Sequence, residues 1–306
     1  MLKGVSLGMS KLEPINIFTT KSKMSRKFRD LTDLEVIPLS LGGVTNKFVL
    51  RDREKQIMVK FQKEKASEII RDYISEYIGS SIAKKLGYPV QNVELAYHSG
   101  DECVAVELFN PLPTSFKGLG TNSADGVKMG SKGQNYNLQW LLELKMSTSK
   151  FDITQIEYEE WVWSVFFLDM FIGNFDRHEG NWGFIKKKGL YTIAPLFDNG
   201  ACFYPKYIGT EKMSMRYEEI KHLVLFQTRC AILYEGKKKN FFELLDIVLR
   251  HQNVKRVFTS FLKRVDSTRF DSVYEYVIDY NKEYVNTIGF IKRVINIRRE
   301  LLSKYE

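Results

Sequence analysis

Two short segments carry the kinds of oxygen group that phosphoryl transfer uses. The first, Gly173-Asn174-Phe175-Asp176-Arg177-His178-Glu179-Gly180-Asn181, sets an Asp and an Asn five positions apart. The second, Leu196-Phe197-Asp198-Asn199-Gly200, adds another Asp shortly before a Gly. In ATP-dependent transfer one carboxylate orients the acceptor hydroxyl and takes its proton. An amide oxygen and a second carboxylate hold Mg²⁺ against the phosphates, because Mg²⁺ prefers hard oxygen ligands in octahedral geometry. The Asp-x4-Asn spacing and the later Asp match the catalytic and metal loops of protein kinases. Either segment alone is also what ordinary turns produce, since Asp and Asn side chains bond their own backbone.

Three upstream features shift the balance. Gly42-Gly43 stands between two strand-like runs, where glycine lets backbone N–H groups approach phosphates; a plain hairpin turn would read the same way. Lys60 ends the apolar run IMVKF, where an unpaired ammonium would be costly to bury unless it snorkels to solvent. Glu76 follows 16 residues later on a predicted helix and can turn inward to pair with Lys60, with Glu68 as a rival partner.

The elements that must position these groups can be read from periodicity. Residues 1–30 are polar and basic and read as an arm or edge element. LEVIPLS, KFVLRD and IMVKF alternate as strands, the last two forming a hairpin across a charged turn. Ile69, Ile70, Tyr73, Ile74, Tyr77 and Ile78 give a helical stripe over 65–87, closed by Gly87. NVELAYH and ECVAVELF are two further strands, and Asn110-Pro111-Leu112-Pro113 ends this half. The glycine-rich 113–137 reads as a long loop. Helices are expected at 138–146 and 155–173, then a β pair, NWGFI and LYTIAPLFD. The chain beyond about residue 215 is expected to be mostly helical, with Phe241, Leu244, Leu245, Val248, Val254, Val257, Phe258 and Phe261 as core positions. This order gives an α+β, two-lobed fold with a cleft between the lobes, a small β-rich N-lobe over 1–109 and a larger, mainly helical C-lobe over 110–306; together with the loop motifs it reads as protein-kinase-like.

Composition narrows the class further. The chain has 306 residues, 44% hydrophobic and 27% charged, ordinary for a globular protein and incompatible with wholesale disorder. Its three cysteines, Cys103, Cys202 and Cys230, form no CxxC pair, and the four histidines lack ligand spacing, so neither a disulfide framework nor a zinc site is encoded. The first residues lack the apolar core of a secretory signal. WVWSVFFLDMFIG at 161–173 is shorter than the ~20 residues of a membrane span and contains Asp169, so it reads as a buried helix. A cytoplasmic-type soluble protein is expected. The net charge of +9 attracts anionic partners without choosing among them. Basic clusters at Lys186–Lys188, at Lys237–Lys239, and at Lys292, Arg293, Arg298 and Arg299 read as solvated faces.

This ordered set resembles the HipA-like serine/threonine kinases of bacteria, and within them the smaller, cell-translocating members, from roughly residue 36 to residue 205. PLSLGGVTNK resembles the family's phosphate loop, SEYIGSSIAKKLGYPV its Glu-bearing helix and VELFNP its hinge; GNFDRHEGN and IAPLFDNG resemble its catalytic and metal loops. The resemblance implies an ATP- and Mg²⁺-dependent kinase that acts on protein hydroxyls. Asp176 would be its catalytic base, His178 a member of the same loop, and Asn181 and Asp198 its metal ligands. Lys60 would meet the α/β-phosphates with Glu76 positioning it. Gly42, Gly43, Val44, Thr45, Asn46 and Lys47 would surround the phosphates, and backbone groups of Glu107, Leu108 and Phe109 would hold adenine. Ser40 matches the position at which family members autophosphorylate. Protein substrates, host-cell proteins among them after release or translocation, are the implied partners, with no specific nucleic acid and no membrane span.

Three departures stand out. Gly180 occupies the place of a family Lys, with His178 or Lys47 as candidates to neutralise the γ-phosphate. Thr45 replaces a Gln, and the chain is shorter than full-length HipA, so antitoxin pairing does not carry over. Two other readings stay open on the residues: a phosphoinositide-type lipid kinase, which also carries a DRHxxN loop, and a catalytically degenerate kinase fold serving as a basic binding module.

Overall fold

The computed structural model of the chain describes residues 28–38, 47–65, 68–109, 114–115, 137–143, 150–178 and 180–306. The basic arm up to residue 27, Ser40, the expected phosphate-loop residues Gly42, Gly43, Val44, Thr45 and Asn46, and most of the glycine-rich stretch lie outside the described residues.

Alternating apolar residues in the first third build a six-stranded sheet. Its strands are β1 (Arg29–Asp30), β2 (Glu35–Ile37), β3 (Lys47–Asp52), β4 (Lys55–Lys60), β7 (Val93–His98) and β8 (Asp101–Glu107), in the spatial order β1-β7-β8-β4-β3-β2. β1 runs parallel to β7 and the other pairs are antiparallel. Because side chains alternate between faces, Ile57 and Val59 of β4 join Leu50, Ala96, Cys103 and Ala105 in a small core on one side. Met58 and Lys60 therefore point to the other side, where Val104 and Val106 meet the first helix. Ser99-Gly100 turns β7 into β8 with both residues at positive φ, the geometry of a tight hairpin turn.

That helix, α1 (Asp72–Lys85), begins later than the apolar stripe predicts. Lys63–Lys65 and Glu68–Ile70 instead form a short antiparallel ribbon, β5 and β6. The adjacent β-branched Ile69 and Ile70 suit extended backbone, while Asp72 places a carboxylate in the first turn, where the helix dipole favours it. Gly87 closes the helix region at φ +85°, as expected.

The remainder is mainly helical. After α2 (Leu138–Glu143) comes α3 (Gln155–Ile172), capped by a reciprocal Thr154–Glu157 box at its start and by left-handed Gly173 at its end. From Trp161 onward nearly every residue of α3 is buried, and each large apolar side chain so buried contributes ~1.5–3 kcal/mol. No helix among the described residues is long and apolar enough to cross a membrane. β10 (Gly183–Lys187) and β11 (Leu190–Ile193) form the expected pair, joined at Lys188-Gly189. A third strand, β9 (Thr114–Ser115), pairs with β10 and interrupts what the sequence reads as loop.

Five further helices follow: α4 (Tyr217–His222), α5 (Phe241–Val248), α6 (Gln252–Ser267), α7 (Asp271–Tyr280) and α8 (Val285–Ser303). The expectation of a helical chain after 215 misses a hairpin between α4 and α5, β12 (Arg229–Tyr234) with β13 (Lys237–Asn240). Its turn, Glu235-Gly236, has two consecutive positive φ values, the tight turn that matches strand twist. Lys237–Lys239 thus lie on a strand. The view of the last basic cluster as solvated also needs correction, because Arg298 is fully buried.

The helical part is welded to the sheet. The Tyr280 hydroxyl donates to the Ala96 carbonyl and accepts from the Cys103 amide. The Tyr73 and Tyr284 hydroxyls converge on one Glu102 oxygen at 2.5 Å each, and Asn281 Nδ2 donates to the other at 2.7 Å. The result is an α+β, two-lobed, kinase-like architecture, with the six-stranded sheet and α1 on one side and the other helices, with their short β pairs, on the other.

Candidate active site

At its centre is Lys60, the last residue of β4. Its ammonium lies 2.7 Å from Glu76 Oε2 on α1 and 3.2 Å from Asp198 Oδ1 on the loop after β11. Lys60 and Glu76 are both buried. Burial works against the ammonium, but the two carboxylates outweigh it and hold the Lys60 pKa well above its ordinary value. The same ammonium, with Arg177 helping, pulls Asp198 below the usual carboxylate range despite desolvation. Glu68, the rival partner for Lys60, faces outward to Lys206 at 3.1 Å.

Lys47 stands directly opposite Lys60 across the β3–β4 ladder, so the two side chains share a face. Like charges in directly opposed positions repel, and burial together with Lys60 lowers the Lys47 pKa. An anion between them would relieve that repulsion.

A buried network couples the two loops. Arg177 donates from Nε to Asp169 Oδ2 at 3.0 Å and from Nη1 to the carbonyls of Asn181, at 2.8 Å, and of Phe197, at 2.5 Å. Its Nη2 donates to Asn199 Oδ1. Asn199 in turn donates its backbone N–H to Glu76 Oε1 at 2.8 Å and its side-chain amide to Ser80 Oγ at 2.9 Å. The loop of Asp176 and Asn181, the loop of Asp198 and α1 therefore meet in one hydrogen-bonded knot. Gly79 lets α1 approach this closely: a Cβ there would lie 2.8 Å from Cys202 Sγ and 3.2 Å from Asn199 Cβ.

The open face of the knot is a cleft of about 620 Å³ lined by Lys47, Lys60, Asp176, His178, Asn181 and Asp198 among others. The Asp176 carboxylate has no hydrogen bond or ion pair among the described residues and is exposed. Asn181 Nδ2 donates to the Asp176 carbonyl at 2.9 Å, which leaves Oδ1 as the amide's other end. Asp198 sits at φ +57° with its side chain 46% exposed; Asp is among the residues that tolerate this left-handed backbone. No group of three or more His, Cys, Asp or Glu is assembled for a metal among the described residues. A divalent ion here would draw two oxygens from Asn181 and Asp198 and the rest from phosphate and water, the usual pattern for Mg²⁺.

His178 Nδ1 accepts the Gly180 amide at 2.9 Å. A Cβ at Gly180 would lie 2.7 Å from His178 Cε1, so the ring occupies the space that a larger residue there would need. At the expected hinge, the Glu107 amide donates to the Asn92 carbonyl and the Leu108 amide to the Gln56 carbonyl, while the Glu107 carbonyl accepts from Gln91 Nε2. These two amides are thus engaged within the protein, and the Phe109 ring packs edge-on against Phe197 at 6.0 Å.

Reading the sequence brings Lys47, Lys60, Glu76, Asp176, His178, Asn181 and Asp198 to this place but overlooks Arg177, Asp169, Asn199 and Ser80. A signal was present: Asp169 sits in an otherwise apolar helix, and a buried carboxylate requires a partner.

Comparison with known proteins places the chain in a family. A model of the HipA-like C-terminal domain matches residues 39–268. The chain is 25% identical to the serine/threonine-protein kinase CtkA of Helicobacter pylori strain J99 over 276 residues, 85% of this chain and 83% of that one. The crystal structure of the H. pylori proinflammatory kinase CtkA superposes with a TM-score of 0.74 at 22% identity, covering 92% of this chain and all of the other. HipA from the HipA–HipB–operator complex of Shewanella oneidensis is a more distant likeness, with TM-score 0.48 and 15% identity over 86% of this chain and 65% of that one. The matched span holds Lys60, Glu76, Asp176, Asn181 and Asp198 together, and the chain belongs to the HipA-like C-terminal domain family.

Proposed function

We propose that this protein is an ATP- and Mg²⁺-dependent serine/threonine protein kinase of HipA-like type. The observation that carries the reading is Lys60, clamped between Glu76 and Asp198 at the wall of a cleft that also presents Asp176 and Asn181. In this reading residues 1–109 form the lobe that covers the nucleotide, and 110–306 supply the catalytic and metal loops. Lys60 contacts the α/β-phosphates, and Glu76 keeps its ammonium aimed into the cleft. Asp176 orients the acceptor hydroxyl and takes its proton as that oxygen attacks the γ-phosphorus. Asn181 and Asp198 fit Mg²⁺, which when bound supplies charge neutralisation at the phosphates. Arg177 and Asn199 touch no reactant and position the two loops. The relative from H. pylori is named a serine/threonine kinase; from that name we extend only protein hydroxyls as acceptors. Autophosphorylation at Ser40 belongs to the same reading.

Phosphotransfer from labelled ATP to generic protein substrates tests it, comparing the natural sequence with Asp176→Ala and Asp198→Asn. Both variants should lose transfer, and mass spectrometry of the active protein after long incubation should find Ser40 phosphorylated. Transfer retained in both variants refutes the assignment; transfer to phosphoinositide vesicles with none to protein supports the lipid-kinase reading instead.

A further inference from the structure

The cleft holds more positive charge than the Lys60 clamp uses. Lys47, Lys60, Lys63 and Lys206 all line it, and their circumstances differ. Lys60 is committed to two carboxylates. Lys206 is bound to Glu68 at the exposed rim, with both side chains more than half exposed. Lys47 is weakened as a cation by burial and by Lys60. His178 holds the loop through Nδ1, an acceptor role that a protonated ring would forfeit.

Lys63 is different. Its ammonium is 2.5 Å from Asp72 Oδ2, and its side chain keeps 29% of its surface exposed. Asp72 is buried, and its second oxygen, Oδ1, is buried with no hydrogen-bond partner. A buried oxygen left unsatisfied detracts from stability, so this carboxylate is not explained as a fold element alone. Asp72 lies four residues before Glu76, one helical turn away on the same side of α1. The helix thus presents two carboxylates in tandem to two cleft lysines, Glu76 to Lys60 and Asp72 to Lys63. Lys63 also contributes to the positive field that lowers both Asp198 and Lys47, as expected of a charge within the cleft.

We propose that Lys63, tethered to the cleft wall by Asp72, is a second phosphate-binding lysine that meets the terminal phosphate of the nucleotide and stabilises the transferring phosphoryl group. The proposal rests on the kinase reading above. In the step concerned, the acceptor oxygen forms a bond to the γ-phosphorus, the bond from that phosphorus to the bridging oxygen breaks, ADP leaves, and the hydroxyl proton passes to Asp176. Lys63 neither gains nor loses a proton; it matches charge that gathers on the phosphoryl oxygens. Asp72 is a positioning residue, setting where the Lys63 ammonium rests before the nucleotide arrives.

The test compares the natural sequence with Lys63→Gln, Lys63→Arg, Asp72→Asn and Asp72→Glu in phosphotransfer from Mg-ATP. ADP affinity by calorimetry and thermal melting are followed alongside. Lys63→Gln should lower kcat by about 10²–10³, the usual cost of one preorganised donor, with ADP affinity changed less than threefold and folding intact. Lys63→Arg should restore a substantial part of kcat. Asp72→Asn should lower kcat by a smaller factor at unchanged ADP affinity, with Asp72→Glu recovering it. A folded Lys63→Gln whose kcat stays within threefold overturns the proposal, as does a loss of ADP binding equal to the loss of transfer. A natural protein that neither binds ADP nor transfers phosphate overturns the kinase reading and this proposal with it. An active protein indifferent to Lys63 overturns the proposal alone.

Discussion

Arg177 offers the sharpest test of how the site is held together. Replacing it by Met keeps the volume of the side chain and removes every bond it makes. Asp169 would then be a buried carboxylate without its cation, and breaking a buried pair from one side costs ~3–5 kcal/mol. The carbonyls of Asn181 and Phe197 and the Asn199 amide oxygen would also lose a donor, at roughly 1–3 kcal/mol for each that stays dry. Taking the ion pair alone as the floor, about 3 kcal/mol at ~2 °C per kcal/mol for a chain of this size predicts a Tm lowered by roughly 6 °C or more. The deficit depends on pH. Burial already raises the Asp169 carboxyl above its ordinary value against the pull of Arg177, and removing Arg177 raises it further. A group whose folded pKa is raised favours folding below its unfolded pKa and loses that advantage as pH rises through the folded value. The gap between Arg177→Met and the natural protein should therefore be narrower at pH 5 than at pH 8. Circular dichroism melts at the two pH values measure this. The double variant Asp169→Leu with Arg177→Met removes both charges at once and should melt above the single variant. An Arg177→Met protein melting within 2 °C of the natural one at pH 8, or a double variant no more stable than the single, would refute the reasoning.

Two further expectations follow from packing. Gly79→Ala adds helix propensity worth ~1 kcal/mol, yet its methyl group meets Cys202 and Asn199. It should lower both Tm and phosphotransfer, and a variant with raised Tm and full activity would show that α1 has room to spare. Burial pushes the Cys103 and Cys230 thiols up to about 12 and raises Cys202 as well. Ellman's reagent at pH 8 should find no fast-reacting thiol in the native protein and three after denaturation, and one thiol reacting within seconds in the native state would contradict this burial.

Much of the candidate site was legible because the chemistry proposed for it demands particular residue types in order. A lysine ending an apolar strand and a glutamate on the next helix pair in space because α1 packs over β7 and β8 on the face of the sheet toward which strand alternation aims Lys60. The loops around Asp176 and Asp198 were legible from spacing. What escaped notice depends on contacts between distant segments. Arg177 bonds four groups spread over 30 residues, from Asp169 to Asn199, and no local pattern encodes that convergence. The start of α1 was misplaced because Ile69 and Ile70 fit a helical stripe as well as a strand, and only their partner strand decides. The β12–β13 hairpin carried its own cue in Glu235-Gly236, outweighed by the helical periodicity of the flanking sequence. The phosphate loop, the most anticipated feature of all, lies outside the described residues.

Arg298, on α8, reaches the carbonyl of Met170 and packs against Gly173, the point from which the loop of Asp176 departs. That contact imposes an order in time. Residue 298 is made 128 positions after residue 170, about 6–26 s later at synthesis rates of ~5–20 residues per second. Throughout that interval the nascent chain holds Asp176 without the residue that closes the helix end beneath it. The helix end that carries the Asp176 loop therefore gains this contact only after the intervening helices and the β12–β13 hairpin have been made.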